Sequence, residues 1–254
     1  MTARRDQHFL VDGRAVERIL SLADVAGRVV LEVGPGKGVL TRGLLDRGAE
    51  VVAVEIDPVL VEELRAAFAP EIAAGTLHLI EGDAVRVDLP SFELVVSNLP
   101  YSISSPLTFR LLEIGFSEAV LMYQAEFADR MLARVGTPAC GRLTVMVQTY
   151  ADVKRCFPVP PNAFSPRPQV HSTVVRVIPR DPPFPIGDRR HYADVVRVLF
   201  SQRRKTVRNG LRSGRGIFGA DRVERMTASL PPGLLGLRPE ALSLRDFAGI
   251  ANVV

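Results

Sequence analysis

The chain of 254 residues has only two cysteines, Cys140 and Cys156, and neither belongs to a CxxC pair or sits near a histidine cluster. That scarcity argues against a disulfide framework and against a cysteine-bound metal, and it fits thiols kept reduced in the cytoplasm. Long apolar runs are missing too. No stretch approaches the ~18 apolar residues that a membrane-spanning helix needs, so no membrane partner is expected. Behind Met1-Thr2-Ala3-Arg4-Arg5-Asp6 there is no apolar segment, so no secretory leader is expected. Internal repeats and low-complexity tracts are lacking. Lysine is scarce: Lys37, Lys154 and Lys205 are the only three among 32 cations. Arginine suits bidentate phosphate contacts, although genome base composition would account for the bias equally well.

What the chain does have is an uneven charge. Residues 189–215 hold nine cations and one acid, Asp194, whereas the whole chain is only +4. A polyanion would therefore be drawn to one region, since the remainder is net acidic. The length allows one large domain and a small one.

Short apolar runs alternate with helical patterns through the first half. Strands are expected at 29–33, 50–57, 77–80, 93–97 and 119–123, and helices at 39–45, 59–68 and 107–114. That alternation predicts a parallel, doubly wound sheet. Residues 143–150 and 170–178 read as further strands with no long helix between them, which implies an antiparallel edge. Between these two lies a loop with five prolines in the eleven residues 158–168, which restrict how Phe164 is presented. Residues 181–185 read as a linker, 192–200 and 202–212 as basic helices, and the remainder as a small helical domain. The domain boundaries expected are 1–180 and 186–254.

In an open α/β sheet, ligands bind beyond the carboxyl ends of the strands. There this chain places Gly34 and Gly36, then Glu55, then Asp83, then Asn98-Leu99-Pro100-Tyr101. The glycines permit a tight turn, and the helix start behind them offers N–H groups to an anion. Glu55, nineteen residues past Gly36, is at the distance for accepting from ribose hydroxyls. Asp83 could accept from an adenine amine. A dinucleotide fingerprint needs glycine where Val39 stands, and a P-loop needs serine or threonine after the glycine-lysine pair. What stands instead is Glu32-Val33-Gly34-Pro35-Gly36-Lys37-Gly38, whose acid would repel a pyrophosphate but tolerate an amino group. S-adenosylmethionine fits these features. Asn98 and a backbone carbonyl could accept the two protons of an exocyclic amine, and Tyr101 could stack on its ring.

Assembled, these segments resemble the rRNA adenine dimethyltransferases of the KsgA type, in wording closer to the archaeal and eukaryotic branch. The resemblance spans nearly the whole chain. Its further segments are Gln7-His8-Phe9-Leu10, Gly82-Asp83-Ala84, Gln124-Ala125-Glu126-Phe127, Asn162-Ala163-Phe164-Ser165-Pro166-Arg167-Pro168 and Ser201-Gln202-Arg203-Arg204-Lys205. It implies a Rossmann-like methyltransferase sheet with an antiparallel edge, plus a small C-terminal helical domain. It implies a monomer that dimethylates N6 of two adjacent adenines near the 3′ end of small-subunit rRNA, within the immature subunit, using S-adenosylmethionine and no metal. By resemblance, His8, Leu10, Gly34, Gly36, Glu55, Asp83 and Asn98 bind the cofactor. Asn98, Pro100, Tyr101 and Phe164 hold the target adenine, with Tyr101 and Phe164 on its two faces. Two positions depart from the family pattern: Asp6 replaces a glycine, and His8 stands where many relatives have asparagine. Other readings of the same residues are a DNA or large-subunit rRNA adenine methyltransferase, and a ribosome-assembly factor that needs no catalysis. The intact Asn98, Tyr101, Glu55 and Asp83 weigh against the last.

Overall fold

The computed structural model describes residues 7–253, so Asp6 and the rest of the first six residues lie outside it. Among the described residues there are nine strands: β1 (Phe9–Leu10), β2 (Val29–Val33), β3 (Glu50–Glu55), β4 (Leu77–Glu81), β5 (Leu94–Asn98), β6 (Glu118–Gln124), β7 (Ala151–Val159), β8 (Phe164–Ser165) and β9 (Ser172–Pro179). Seven form one sheet in the order β4-β3-β2-β5-β6-β9-β7, and β1 pairs antiparallel with β8. Strands β2 to β6 run parallel, and β9 runs antiparallel to β6, which gives the expected antiparallel edge.

The central strands are buried on both faces, and for that reason Val-Val-Leu-Glu-Val and Leu-Val-Val-Ser are nearly continuous apolar runs. The crossover helices between parallel strands are α2 (Val39–Asp46), α3 (Pro58–Ala67), α4 (Ala69–Ala73) and α5 (Ser104–Ile114), while α1 (Gly13–Leu20) precedes β2 and α6 (Ala125–Met131) follows β6. Local chemistry starts these helices. The Asp12 carboxylate accepts from the backbone N–H groups of Arg14 and Ala15, and Asp57 caps α3, which has Pro58 in its first turn.

The chain divides into two compact units, one of residues up to Ala128 with Asp152–Pro179, the other of Asp129–Ala151 with Arg180–Val254. The second unit contains α7 (Arg142–Tyr150), α8 (Arg189–Ser201), α9 (Val207–Ser213), α10 (Arg215–Phe218), α11 (Ala220–Ser229), α12 (Pro232–Gly236) and α13 (Leu244–Ala251). Its core joins Val145, Tyr192, Val195, Leu211, Met226 and Phe247.

Residues 143–150, expected as a strand, are helical. Their Val- and Thr-rich sequence suits a strand, but packing overrides that weak preference. Val145 enters the helical core, and the Thr149 hydroxyl, which donates back to the Val145 carbonyl, also meets the Tyr192 hydroxyl at 2.8 Å. The strand of this region is β7, just behind, where no strand was expected. The basic helix expected over 202–212 begins only at Val207, after Thr206 in extended conformation.

Candidate active site

The parallel strand order reverses direction between β2 and β5, and there the two strands part. Their ladder pairs Val30 with Leu94 and Leu31 with Val95, and no further. Beyond it the buried Val33 N–H donates not to a strand carbonyl but to the Ser97 hydroxyl, at 2.8 Å. A serine side chain thus satisfies the backbone while holding the sheet open at its carboxyl edge, where open α/β sheets take their ligands.

A cavity of about 400 Å³ lies at that opening. Its floor is the glycine turn. Gly34 has φ +68°, and a Cβ there would come within 3.0 Å of the Pro100 ring. At Gly36, with φ +57°, a Cβ would meet the Phe9 ring at 2.8 Å. Both positions therefore require the left-handed backbone and the missing side chain. The buried Glu55 carboxylate spans the turn: Oε2 accepts from Gly36 N–H at 3.2 Å, and Oε1 from the N–H groups of Ile56 and Asp57 at 2.9 and 3.0 Å.

Behind the turn, Glu32 is 1% exposed and accepts from the Thr41 hydroxyl at 2.6 Å. Burial pushes its carboxyl up to about 8; the Thr41 hydrogen bond opposes the rise and the nearby Glu55 charge adds to it. Glu32 is thus a neutral acid at neutral pH, where the sequence suggested a fixed negative charge.

Asp83 follows β4 in the turn 82–87. Its Oδ1 accepts from Val85 N–H at 2.9 Å, and its Oδ2 lies 3.5 Å from the exposed Arg86. Asn98 ends β5, and its amide nitrogen donates to the His8 carbonyl at 3.4 Å. Tyr101 opens a 3-10 turn (Tyr101–Ile103), and its hydroxyl meets Ser172 Oγ at 2.8 Å, which ties the ring to β9. Half-burial raises the phenol above its ordinary range, partly offset by the Ser172 bond.

The segment Gln7–Leu10 completes the cavity wall. His8 Nδ1 lies 2.8 Å from the Pro166 carbonyl, which can only accept, so the proton sits on Nδ1. Leu10 pairs with Phe164 across β1 and β8.

His8, Leu10, Gly34, Gly36, Glu55, Asp83, Asn98, Pro100 and Tyr101 all line this one cavity. Phe164 is not brought there. It is 4% exposed and packs in the core with Leu10, Phe157 and Val159. The sequence did not point to Ser97, Thr41, Ser172 or Pro166, whose hydrogen bonds hold residues around the cavity. Serine, threonine and proline carry no sequence signal for such work, and the partners of Ser97, Ser172 and Pro166 lie 64 or more residues away.

The basic segment lies on the second unit, where Arg189, Arg190, Arg197, Arg203, Arg204, Lys205, Arg212 and Arg215 are exposed. Some are engaged within it. Arg203 donates to the carbonyls of Pro138 and Cys140 at 2.7 and 3.0 Å, and Arg197 pairs with Asp194 at 2.7 Å.

Known proteins resemble this chain over nearly its whole length. Residues 2–228 match the family model described as ribosomal RNA adenine dimethylase. Two curated relatives are described as "Probable ribosomal RNA small subunit methyltransferase A". The one from Methanospirillum hungatei is 58% identical over 99% of this chain and 98% of its own. The one from Halobacterium salinarum is 49% identical over 98% and 88%. Among solved structures, a dimethyladenosine transferase from Plasmodium falciparum superposes with a TM-score of 0.78 at 29% identity, covering 96% of both chains. The 23S rRNA methyltransferase ErmE gives 0.68 at 26% identity, over 96% of this chain and 98% of its own.

Proposed function

Since the chain belongs to the ribosomal RNA adenine dimethylase family, we propose that it transfers two methyl groups in succession to N6 of each of two adjacent adenines near the 3′ end of small-subunit rRNA. The observation that carries this reading is the convergence of the glycine turn, Glu55, Asp83 and Asn98–Tyr101 on one cavity at the split between β2 and β5.

The residues present fit S-adenosylmethionine. The turn at Gly34 and Gly36 leaves the space that a Cβ would fill, and Glu55 and Asp83 offer carboxylate oxygens for ribose hydroxyls and an adenine amine. That molecule supplies a methyl group on a positively charged sulfur, a leaving group that needs no further activation.

The protein's own task is then orientation. An exocyclic adenine amine is a poor nucleophile because its lone pair is delocalised into the ring. Asn98 Oδ1 and a backbone carbonyl can accept both amine protons, which localises the lone pair and aims it. Of the two carbonyls, that of Leu99 is the better placed in chemistry, because the Pro100 carbonyl already accepts from Ile103 N–H at 3.2 Å and Ser104 Oγ at 3.4 Å. Tyr101, fixed through Ser172, offers one stacking face. With Phe164 in the core, a second face from that residue requires the base to approach differently or the 158–168 loop to rearrange. Positioning and electrostatics, rather than a strong base, supply the acceleration. The target base must leave any helical stack to reach the cavity, which is cheapest in a loop. The basic face of the second unit anchors the RNA phosphates, and the chain acts as a monomer on the immature small subunit.

The deciding experiment incubates immature small subunits with the protein and methyl donor and reads rRNA fragments by mass spectrometry. Wild type should add four methyl groups to one fragment near the 3′ end. Asn98→Ala should lose at least about 100-fold of that activity while its melting temperature stays near wild type. Full dimethylation by Asn98→Ala would remove the amine clamp; labelling only of large-subunit rRNA would overturn the substrate.

A further inference from the structure

The turn that carries Asp83 is poorly supported by packing. Of residues 82–88 only Ala84 is buried. Its inner bonds are short-range: Arg86 and Val87 N–H donate to the Asp83 carbonyl at 2.8 Å, and Val85 N–H to the Asp83 carboxylate. At its start Gly82 N–H donates to the Glu55 carbonyl at 2.8 Å. At its far side two backbone carbonyls, those of Ala84 and Val87, face one guanidinium. Arg110 donates through Nη1 to the first and through Nη2 to the second, both at 2.6 Å.

Arg110 sits on α5, the helix that directly follows Asn98–Tyr101. Arg110 does not line the cavity, and among the described residues it pairs with no acid; its fork is spent on two carbonyls of another loop. A planar, permanently charged fork can hold two acceptors at a fixed separation, which a lysine cannot do.

We propose that Arg110 is a positioning residue for recognition of the cofactor's adenine: from α5 it fixes the turn that presents Asp83. The inference rests on the reading of Asp83 as the acceptor of the adenine amine. A carboxylate distinguishes a 6-amino from a 6-oxo purine only if it is held where the amine proton arrives. Two ligand-facing loops, one carrying Asp83 and one carrying Asn98, thereby share a rigid link through a side chain outside the cavity.

The test is calorimetric titration of the full chain with S-adenosylhomocysteine and with its 6-oxo counterpart, S-inosylhomocysteine. Wild type, Arg110→Met, Arg110→Lys and Asp83→Asn are compared, with thermal melts alongside. Arg110→Met should weaken the amino ligand by about tenfold, equivalent to about 1.4 kcal/mol, and leave the 6-oxo ligand nearly unchanged. Arg110→Lys, able to serve one carbonyl, should fall between. A folded Arg110→Met with the wild-type preference overturns the proposal. Equal losses for both ligands overturn it as well, because they mark a general structural role. If Arg110→Met does not fold, Arg110→Lys decides on the same two criteria. Asp83→Asn should narrow the preference. An unchanged preference there removes the reading of Asp83 itself, whereas narrowing in Asp83→Asn without narrowing in the Arg110 variants removes Arg110 alone.

Discussion

The residue least like its sequence appearance is Glu32. An acid in a glycine-rich turn reads as a fixed charge, but burial makes it a neutral group at pH 7 with a carboxyl raised from 4.5 to about 8. The sign of its linkage to stability follows. Below 4.5 both folded and unfolded chains bind the proton; between 4.5 and about 8 only the folded chain does. Its contribution is therefore greatest at low pH, declines as pH rises through that window, and is level above it. Glu32→Gln keeps an uncharged partner for Thr41 without the titration. Urea unfolding at about pH 5 and about pH 9 should show the variant gaining on wild type by on the order of 2–4 kcal/mol at the higher pH. Parallel pH profiles for the two proteins would contradict that account. Among the other cavity residues, Asn98, Glu55 and Asp83 were legible because each places an acceptor side chain at, or two residues past, the end of a strand. Ser172 was not, since nothing near it in sequence marks it as the tether of Tyr101.

At the scale of elements, one buried hydroxyl, that of Ser97, takes over the backbone bond where the β2–β5 ladder stops. Removing it in Ser97→Ala leaves the buried Val33 N–H without its acceptor, which should cost about 1–3 kcal/mol. Denaturant unfolding would measure the loss, and a change within a few tenths of a kcal/mol would show that the backbone finds another partner. The parallel strands could be read from sequence because strands buried on both faces leave continuous apolar runs. Helix α7 could not: Leu143-Thr144-Val145-Met146-Val147 carries the branching of a strand, and its helical form rests on packing of Val145 in the helical core and on the Gly141 N–H bond to the Thr144 hydroxyl at its start. Strand β7 had the opposite problem. Lys154, Arg155 and Pro158 interrupt any apolar pattern, which an edge strand tolerates. The pairing of β1 with β8 joins two-residue strands more than 150 positions apart, too short and too distant for local periodicity to report.

For the molecule as a whole, charge and chemistry are divided: the cavity belongs to the sheet unit, and the concentrated cations belong to the helical one. Affinity for RNA should then change without change at the chemical step. Replacing the exposed Arg204 and Lys205 together with glutamine should weaken binding to immature small subunits and reduce the slope of log affinity against log salt by about 1–2. S-adenosylhomocysteine binding should stay at the wild-type value. An unaltered salt slope would count against a phosphate-anchoring role for these two cations. Within the sheet unit, the contact between position 34 and the Pro100 ring has a wider meaning. An alanine at 34 would need a left-handed backbone and the volume that Pro100 occupies, and no single replacement elsewhere provides both. On the proposed roles, the turn for the reagent and the turn for the base are one machined part, encoded in two places, and neither can be retooled alone.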